Sequence, residues 1–418
     1  MASALSVPRR LTALRAGGRL RDAAWAVLAS RAVVWGVGVP AMVALGYSGW
    51  RARADPTNVT ATLGDAGEVL GSPAMRWDSI YYVQIAQHGY TSAKQAGFFP
   101  LYPLLVGGVD RVLGASPVLV GVLISLVAFL GGLFLLGRLA ELEAGPSASR
   151  ITIWLVALFP ASLFFSAVYS EGLFLLLSVG SFLAARRGSW LWAGVLGALA
   201  AATRNVGVTL LVPLVLLYLY GPREDRSPDR AANALRPRYR LRADAWWLAL
   251  VPLGCAIVAY AMWRTFNDPF TAWTSQESYF GRRFDGPFSA LGLGAWTALK
   301  TTWTAVGAGG HGLGSAAQKT GLFVFAAAAV GIAVRSFWTL PAAYGAYAIA
   351  SLAPSLSTPR DIGPLNGSIR YVAVAFPLFV WLAIALQDRR RLRLATYAGF
   401  TLGLAYCSAR FATWRWVA

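Results

Sequence analysis

One short segment, SPAMRWDSIYYVQIAQHGY, concentrates side chains that can do chemistry. Asp78 directly follows Arg76 and Trp77, while Tyr82 and His88 come after it. A carboxylate and an imidazole can each accept a proton from a reacting group. Trp and Tyr also form aromatic belts at membrane interfaces, and an Asp beside an Arg is often a solvated pair. The combination nevertheless indicates a reactive site centred on Asp78.

The same segment has the end signals of a helix. Ser72 suits the N-cap, Pro73 the first turn and Gly89 the C-terminal cap. Helical spacing then aligns Asp78 with His88 on one stripe. We expect an amphipathic helix at the membrane surface that presents both groups at headgroup depth.

The stretch GFFPLYPLL follows at once and is almost entirely apolar. Pro100 and Pro103 interrupt regular helix hydrogen bonding. An irregular backbone with apolar side chains predicts a re-entrant or surface turn that is buried against protein.

The composition indicates the setting of these motifs. Hydrophobic residues make up 57% of the 418 residues and charged residues only 13%, and the mean hydropathy is +0.54. A soluble surface needs more charge than this, and the apolar runs are continuous rather than alternating, which favours membrane helices over a barrel. Cys255 and Cys407 lie inside apolar runs and predict packing rather than a disulfide framework.

The chain is therefore predicted to be an all-α, polytopic membrane protein that forms a single membrane-embedded domain over 1–418. About eleven apolar runs approach the length that crosses a bilayer. They are 24–46, 117–137, 151–168, 171–185, 190–203, 206–220, 245–264, 317–334, 337–357, 371–387 and 394–409.

Threading these runs from a cytoplasmic basic arm, 1–23, puts the densest arginine clusters on one side, as the positive-inside rule requires. The net charge of +19 is thereby explained by loops that meet anionic lipid, and no nucleic-acid partner is expected. The predicted cytoplasmic loops are 138–150, 186–187, 221–244, Arg335 and 388–393. The predicted outer segments are 47–116, 204–205, 265–316 and 358–370.

The motifs resemble one family. RWDSIYYVQIAQHGY followed by FFPLYPLL is similar to the first lumenal loop of the GPI mannosyltransferase 2 family (phosphatidylinositol-glycan class V) and its bacterial relatives. Further similar motifs follow in order through nearly the whole chain: PASLFFSAVYSE, ATRNVG, NDPF with FGR, SIRY and the terminal WVA. One departure is at Arg204 and Asn205, where the family pattern has an extra Ser between the two residues.

The resemblance implies a GT-C fold with a catalytic site on the outer face of the plasma membrane. The implied reaction is inverting transfer of mannose from polyprenyl-phosphate mannose to a glycolipid or other glycan. Because phosphate leaves as a stable anion, one carboxylate base suffices, and Asp78 is the first candidate. Glu171 is the second, and it can equally be a buried acid that is paired with an arginine such as Arg204.

Other residues are expected to bind the substrates. Arginine forks suit phosphate oxygens, and no metal is expected to be required. The predicted phosphate ligands are Arg204, Arg282, Arg370 and His88. Trp77 and Tyr82 are predicted to stack on sugar, and Arg76 and Tyr371 are also predicted to bind the substrates. Phe98, Phe99 and Tyr102 are predicted to line a groove for the polyprenyl tail.

Two other readings remain open. A GT-C transferase for a different polyprenyl-phosphate sugar would share all of these features. A lipid or solute transporter would also have many spans, but it should place ionisable residues at the bilayer midplane and show paired halves. Here the notable acids map to the outer segments, and no halves are visible in the sequence.

Overall fold

The computed structural model describes residues 9–56, 58–59, 64–231, 236–308, 310–360 and 363–417, with side chains from residue 17 onward. Within these ranges all regular structure is helical, apart from one isolated bridge between Arg282 and Arg360. The prediction of an all-α chain is confirmed.

Seventeen α-helices lie in the described part of the chain. In order they are α1 (Arg9–Leu45), α2 (Arg51–Ala54), α3 (Gly64–Gly71), α4 (Ser79–His88), α5 (Leu101–Leu113), α6 (Pro117–Leu158), α7 (Glu171–Arg186), α8 (Trp190–Thr203), α9 (Leu211–Tyr220), α10 (Leu250–Phe266), α11 (Thr271–Phe280), α12 (Ser289–Gly307), α13 (Leu313–Thr339), α14 (Ala342–Ser357), α15 (Ser368–Val374), α16 (Pro377–Leu386) and α17 (Arg390–Ala412). Short 3-10 helices are Ala93–Gly97, Pro160–Phe165, Asn205–Leu210 and Ala243–Ala249.

Each predicted apolar run falls on a helical segment, because backbone groups that leave water must be satisfied within the segment. Two runs share α6, which breaks at Gly145, where φ is 84° and ψ is 175°. The second of these runs, 151–168, is only partly α-helical: α6 ends at Leu158 and a 3-10 turn follows. The run 371–387 is divided between α15 and α16, which meet at 74°.

Among the described residues, four helical segments are long and apolar enough to cross a membrane, and the bent pair α15 and α16 makes up to five. The four are Gly17–Leu45, Pro117–Leu158, Ala243–Phe266 and Leu313–Thr339. The other apolar helices are shorter. An all-α polytopic membrane protein therefore describes the chain, while the number of about eleven spans stays a prediction.

Helix α7 connects two chemically different ends of the bundle. At its last turn, Arg186 Nε lies 2.5 Å from Glu143, which also accepts a hydrogen bond from the Tyr344 hydroxyl at 2.8 Å. Predicted cytoplasmic loops thus meet at this end. Glu171, at the first turn of α7, contacts Arg204 and Arg370 instead. The motif residues and the arginine-rich loops lie at opposite ends, as the threading requires, although the side of the membrane stays a prediction.

The first outer loop differs from its prediction in two places. The helix expected from Pro73 begins only at Ser79, because turns occupy the preceding residues and Trp77 adopts a left-handed φ of 58°. It ends before Gly89 as expected. The predicted irregular turn at GFFPLYPLL is instead the start of α5, since Pro103 falls in its first turn, where no backbone N–H is needed.

Candidate active site

A pocket lies where α4, α7, α8, α11 and α15 meet, with about 740 Å³ of empty space that is partly open to solvent. Its charged lining consists of one carboxylate and four guanidinium groups. These belong to Asp78, Arg204, Arg282, Arg360 and Arg370. Such a surplus of positive charge suits an anionic ligand.

Arg370 joins the two candidate acids. Its Nη1 atom lies 2.6 Å from Oδ2 of Asp78. Its Nε and Nη2 atoms lie 2.7 and 2.6 Å from Oε1 of Glu171. The rings of Tyr169 and Phe164 lie beneath the guanidinium, with centroids 4.9 and 5.1 Å away. The planar fork of arginine can satisfy both acids at once, which fixes their relative positions.

Glu171 is enclosed by protein. Its side chain has no exposed surface, and it does not line the pocket. Arg204 Nη1 contacts Oε1 at 2.7 Å, in addition to the contacts from Arg370. Its other oxygen, Oε2, is buried without a hydrogen bond from any described residue. This is the geometry of a buried acid paired with arginines, so Glu171 positions cations rather than meeting a substrate.

Asp78 is the carboxylate that a substrate can reach. It lines the pocket, and 22% of its side chain is exposed. Its backbone N–H donates to the hydroxyl of Tyr169 at 3.1 Å, and that hydroxyl donates to the carbonyl of Arg76 at 3.2 Å. These hydrogen bonds connect the turn that carries Asp78 to the segment before α7. The carboxylate lies at the N-terminal end of α4.

Tyr82 and Ser170 connect the floor of the pocket to Arg204. The Tyr82 hydroxyl lies 2.9 Å from the Ser170 hydroxyl, which accepts a hydrogen bond from Arg204 Nη1 at 3.3 Å. Burial, followed by the charge of Glu171, raises the pKa of Tyr82, so the phenol stays neutral. Ser170 also helps to orient Arg204, which itself faces the pocket.

Arg282 and Arg360 form the other side of the pocket. They face each other across the isolated antiparallel bridge, and Arg360 Nε donates to the carbonyl of Phe280 at 3.2 Å. Burial, followed by repulsion from Arg282, lowers the pKa of Arg360 to about 10, which keeps it charged at neutral pH. Neither guanidinium is ion-paired with a carboxylate among the residues described. Two cations are therefore available to a bound anion.

Several predicted site residues lie elsewhere. Arg76 is fully buried, and its Nε and Nη2 atoms donate to the carbonyls of Ala412 and Glu68, both at 3.3 Å. Trp77 packs against Trp414, and His88 is exposed at the end of α4. None of the three predicted residues lines the pocket. The predicted stripe assumed a helix from residue 73, and the later start of α4 turns these side chains away.

The groove prediction is also corrected in part. Phe98 and Phe99 line the pocket, but the Tyr102 hydroxyl is buried against α6, where it lies 2.9 Å from the Gly121 carbonyl and 2.8 Å from the Ser125 hydroxyl. Tyr371 lines the pocket as predicted, with its ring between Arg204 and Arg282.

Sequence reasoning missed Arg360, Asn205, Gln276 and Trp416, which all line the pocket. Arg360 lies in a segment that was placed on the outer side, but no motif marked it. Trp416 belongs to the terminal WVA motif, whose position beside the pocket depends on contacts that close over the whole length of the chain. Among the described residues, no three His, Cys, Asp or Glu side chains form a group that could hold a metal.

Part of the chain that carries this site is similar to a known protein family. A model of the family described as Mannosyltransferase (PIG-V) matches residues 41–217. Over those residues the chain is similar to the PIG-V family. The family resemblance that the motifs indicated is confirmed there, and the matched part contains Asp78, Glu171 and Arg204. Arg282, Arg360 and Arg370 lie beyond it.

Several curated relatives are similar to part of the chain. GPI alpha-1,6-mannosyltransferase 2 of Rattus norvegicus is 33% identical over 151 residues, which are 34% of this chain and 31% of the relative. The Cricetulus griseus protein of that name is 32% identical over 213 residues, 48% of this chain and 42% of the relative. The Homo sapiens protein is 35% identical over 209 residues, 47% and 41% of the two chains. The chain thus spans less than half the length of the curated relatives it matches.

Proposed function

We propose that this chain is an inverting mannosyltransferase that moves mannose from polyprenyl-phosphate mannose to a hydroxyl of a glycolipid or other glycan at the outer face of the membrane. The proposal rests above all on one observation. Asp78 is a reachable carboxylate that shares a pocket with four arginines. The names of the relatives, all mannosyltransferases of glycosylphosphatidylinositol, support the choice of sugar.

The base is a carboxylate that the acceptor must reach, whereas the leaving phosphate needs fixed cations. The pocket supplies both. Asp78 accepts the proton as the acceptor oxygen forms its bond to the anomeric carbon of mannose. The bond from that carbon to the phosphate oxygen breaks at the same time, and its electron pair stays on the phosphate. The products are the mannosylated acceptor and polyprenyl phosphate, with the anomeric configuration inverted.

Arg282 and Arg360 are suited to hold the phosphate. Negative charge grows on the phosphate as it leaves, and fixed cations stabilise that charge more in the transition state than before it. Arg370 has a different task in this scheme, because its donors are already engaged by the two acids. It orients Asp78 through Oδ2, so that the other carboxylate oxygen remains for the acceptor.

A transfer assay tests the proposal. The full chain, reconstituted in lipid nanodiscs, is given radiolabelled polyprenyl-phosphate mannose and a membrane lipid extract. We expect mannosylated lipid, and we expect Asp78→Asn to lower turnover by about 10²–10⁴-fold, the usual effect of removing a general base. Asp110→Asn, a partly exposed acid in the same predicted outer loop, is the matched control and should keep the wild-type rate.

Three outcomes would contradict the proposal. Turnover of polyprenyl-phosphate glucose or arabinose but not of the mannose donor would assign a different sugar. Near-wild-type turnover by Asp78→Asn, with the protein folded, would remove the proposed base. Loss of label from the donor without any new glycosidic product would instead indicate transport.

A further inference from the structure

A second cavity, with about 780 Å³ of empty space that is partly open to solvent, lies between α13 and α17 and adjoins the pocket. The two spaces share Gly367 and Trp416 as lining residues. Beyond this junction the walls of the second cavity are largely apolar. They include Leu322, Phe325, Ile369 and Val417. The charged pocket therefore meets an apolar space at Gly367 and Trp416.

Gly367 places a cation at that junction. Its φ of 92° lies in the left-handed region, and a Cβ built on it would stand 2.7 Å from Nη2 of Arg282. Glycine is favoured here because other residues rarely adopt this φ, and its lack of a side chain leaves room for the guanidinium beside the backbone. Arg282 therefore lies at the entrance of the apolar cavity.

The far end of the cavity reaches the surface of the helix bundle. Tyr406 of α17 lines it and is 61% exposed. Arg410 donates to the Tyr406 hydroxyl at 3.2 Å and to the Trp416 carbonyl at 2.9 Å, which fixes one rim. Helix α17 packs on α1 and α6, whereas α13 packs on α12, α14 and α16. The mouth therefore opens between α13 and α17, both of which also contact α16.

A third space leaves the pocket on its other side and has the opposite chemistry. This cleft joins the pocket at Arg360, and its lining includes Glu277, Arg283 and Asp285. Charged walls suit a hydrated headgroup and are costly for a hydrocarbon chain to contact. Of the two exits, only the cavity between α13 and α17 offers an apolar chain a favourable surface.

We infer that this cavity holds the first isoprene units of the donor lipid, so that the tail leaves the active site between α13 and α17. The inference rests on the proposed function. In a polyprenyl phosphate the tail is bonded directly to the phosphate. A phosphate held by Arg282 therefore starts its tail beside Gly367, at the entrance of the apolar cavity. The polar cleft at Arg360 then remains available for the sugar part of the acceptor.

Filling the cavity tests the inference. Phe325→Trp and Leu322→Trp each add bulk to its walls, and Val324→Trp, on the exposed side of the same helix, is the matched control. Turnover is measured with a long polyprenyl-phosphate mannose and with a short donor, mannosyl methyl phosphate, which has no isoprene unit to place in the cavity. We expect either cavity variant to raise KM for the long donor about tenfold or more, with little change for the short donor. The control should leave both values unchanged.

The outcomes separate the inference from the proposed function. If wild-type protein uses no mannose donor of either length, the proposed function fails. If the wild type is active and the cavity variants keep the wild-type KM for the long donor, the inference is overturned. A raised KM for the acceptor instead of the donor would assign the cavity to the acceptor's chains and also overturn it.

Photochemistry on unmodified protein gives a second measurement that does not depend on folding of the variants. A polyprenyl phosphate with a diazirine on an early isoprene unit should attach to peptides from α13 and α17, around Phe325 and Tyr406. Attachment confined to the region of Phe98 and Phe99 would contradict the inference.

Discussion

Nη1 of Arg370 lies 2.6 Å from Oδ2 of Asp78 and leaves that carboxylate 22% exposed. The same guanidinium holds Glu171 in a site with no exposed surface. One guanidinium therefore contacts two acids, one buried and one partly exposed. Removing the charge of each acid should change the stability of the protein by different amounts.

Glu171→Gln should destabilise the protein far more than Asp78→Asn. Removing the Glu171 charge leaves Arg204 and Arg370 without their shared buried partner, and breaking a buried pair in this way costs about 3–5 kcal/mol. Asp78 is partly solvated, so its loss should change the melting temperature little while abolishing turnover. Thermal unfolding of the two purified variants checks this. Equal melting temperatures would contradict the positioning role of Glu171.

Arg370→Lys should be almost as harmful as Arg370→Ala. An ammonium group has no planar fork, so it cannot contact Asp78 and Glu171 with the three nitrogen atoms that now do so. We expect kcat to fall by at least about tenfold, because a charge-assisted hydrogen bond is worth about 1.5–3 kcal/mol. Turnover at saturating donor measures this effect, and a lysine variant with wild-type kcat would show that charge alone suffices.

Arg282→Ala and Arg360→Ala should weaken donor binding. Each removes a guanidinium that faces the pocket and has no described carboxylate partner, so the loss falls on the bound phosphate. We expect KM for the donor to rise about 10- to 100-fold per variant. Arg111→Ala is the control, because Arg111 is exposed on α5 and does not line the pocket. An equal effect of all three variants would point to general surface charge instead.

The sequence predicted the helices better than the contacts between them. Continuous apolar runs dictate helices wherever they occur, so each predicted run has a helical counterpart. Asp78, Arg204, Arg282 and Arg370 were predicted from motifs, and all four line one pocket. Arg76 was predicted because it stands two residues before Asp78, and His88 because helical spacing aligned it with Asp78. Asp78 lies just before α4, and Trp77 has a positive φ that nothing in the local sequence signals.

The position of Trp416 could not be predicted from local sequence either, because it depends on contacts with residues that are distant in the sequence. Its ring lies 5.2 Å from that of Trp77 and 5.6 Å from the guanidinium of Arg360. Trp416→Ala should therefore raise KM for the donor by loosening Arg360, whereas Trp416→Phe should restore much of the affinity. Aromatic contacts of this kind are worth about 0.5–1.5 kcal/mol, so the expected change in KM is about three- to tenfold. An unchanged KM in Trp416→Ala would show that Arg360 is held without it.

The orientation of the site can be tested by chemical labelling of intact cells. Ser92 is exposed near the pocket end of the bundle, and Ser227 is exposed in the loop at the opposite end. With Cys255 and Cys407 replaced, Ser92→Cys should react with a membrane-impermeant maleimide added outside. Ser227→Cys should react only after the membrane is opened, because the arginine-rich loops are predicted to face the cytoplasm. The reverse pattern would place the pocket on the cytoplasmic side, where a donor displayed on the outer leaflet cannot reach Asp78.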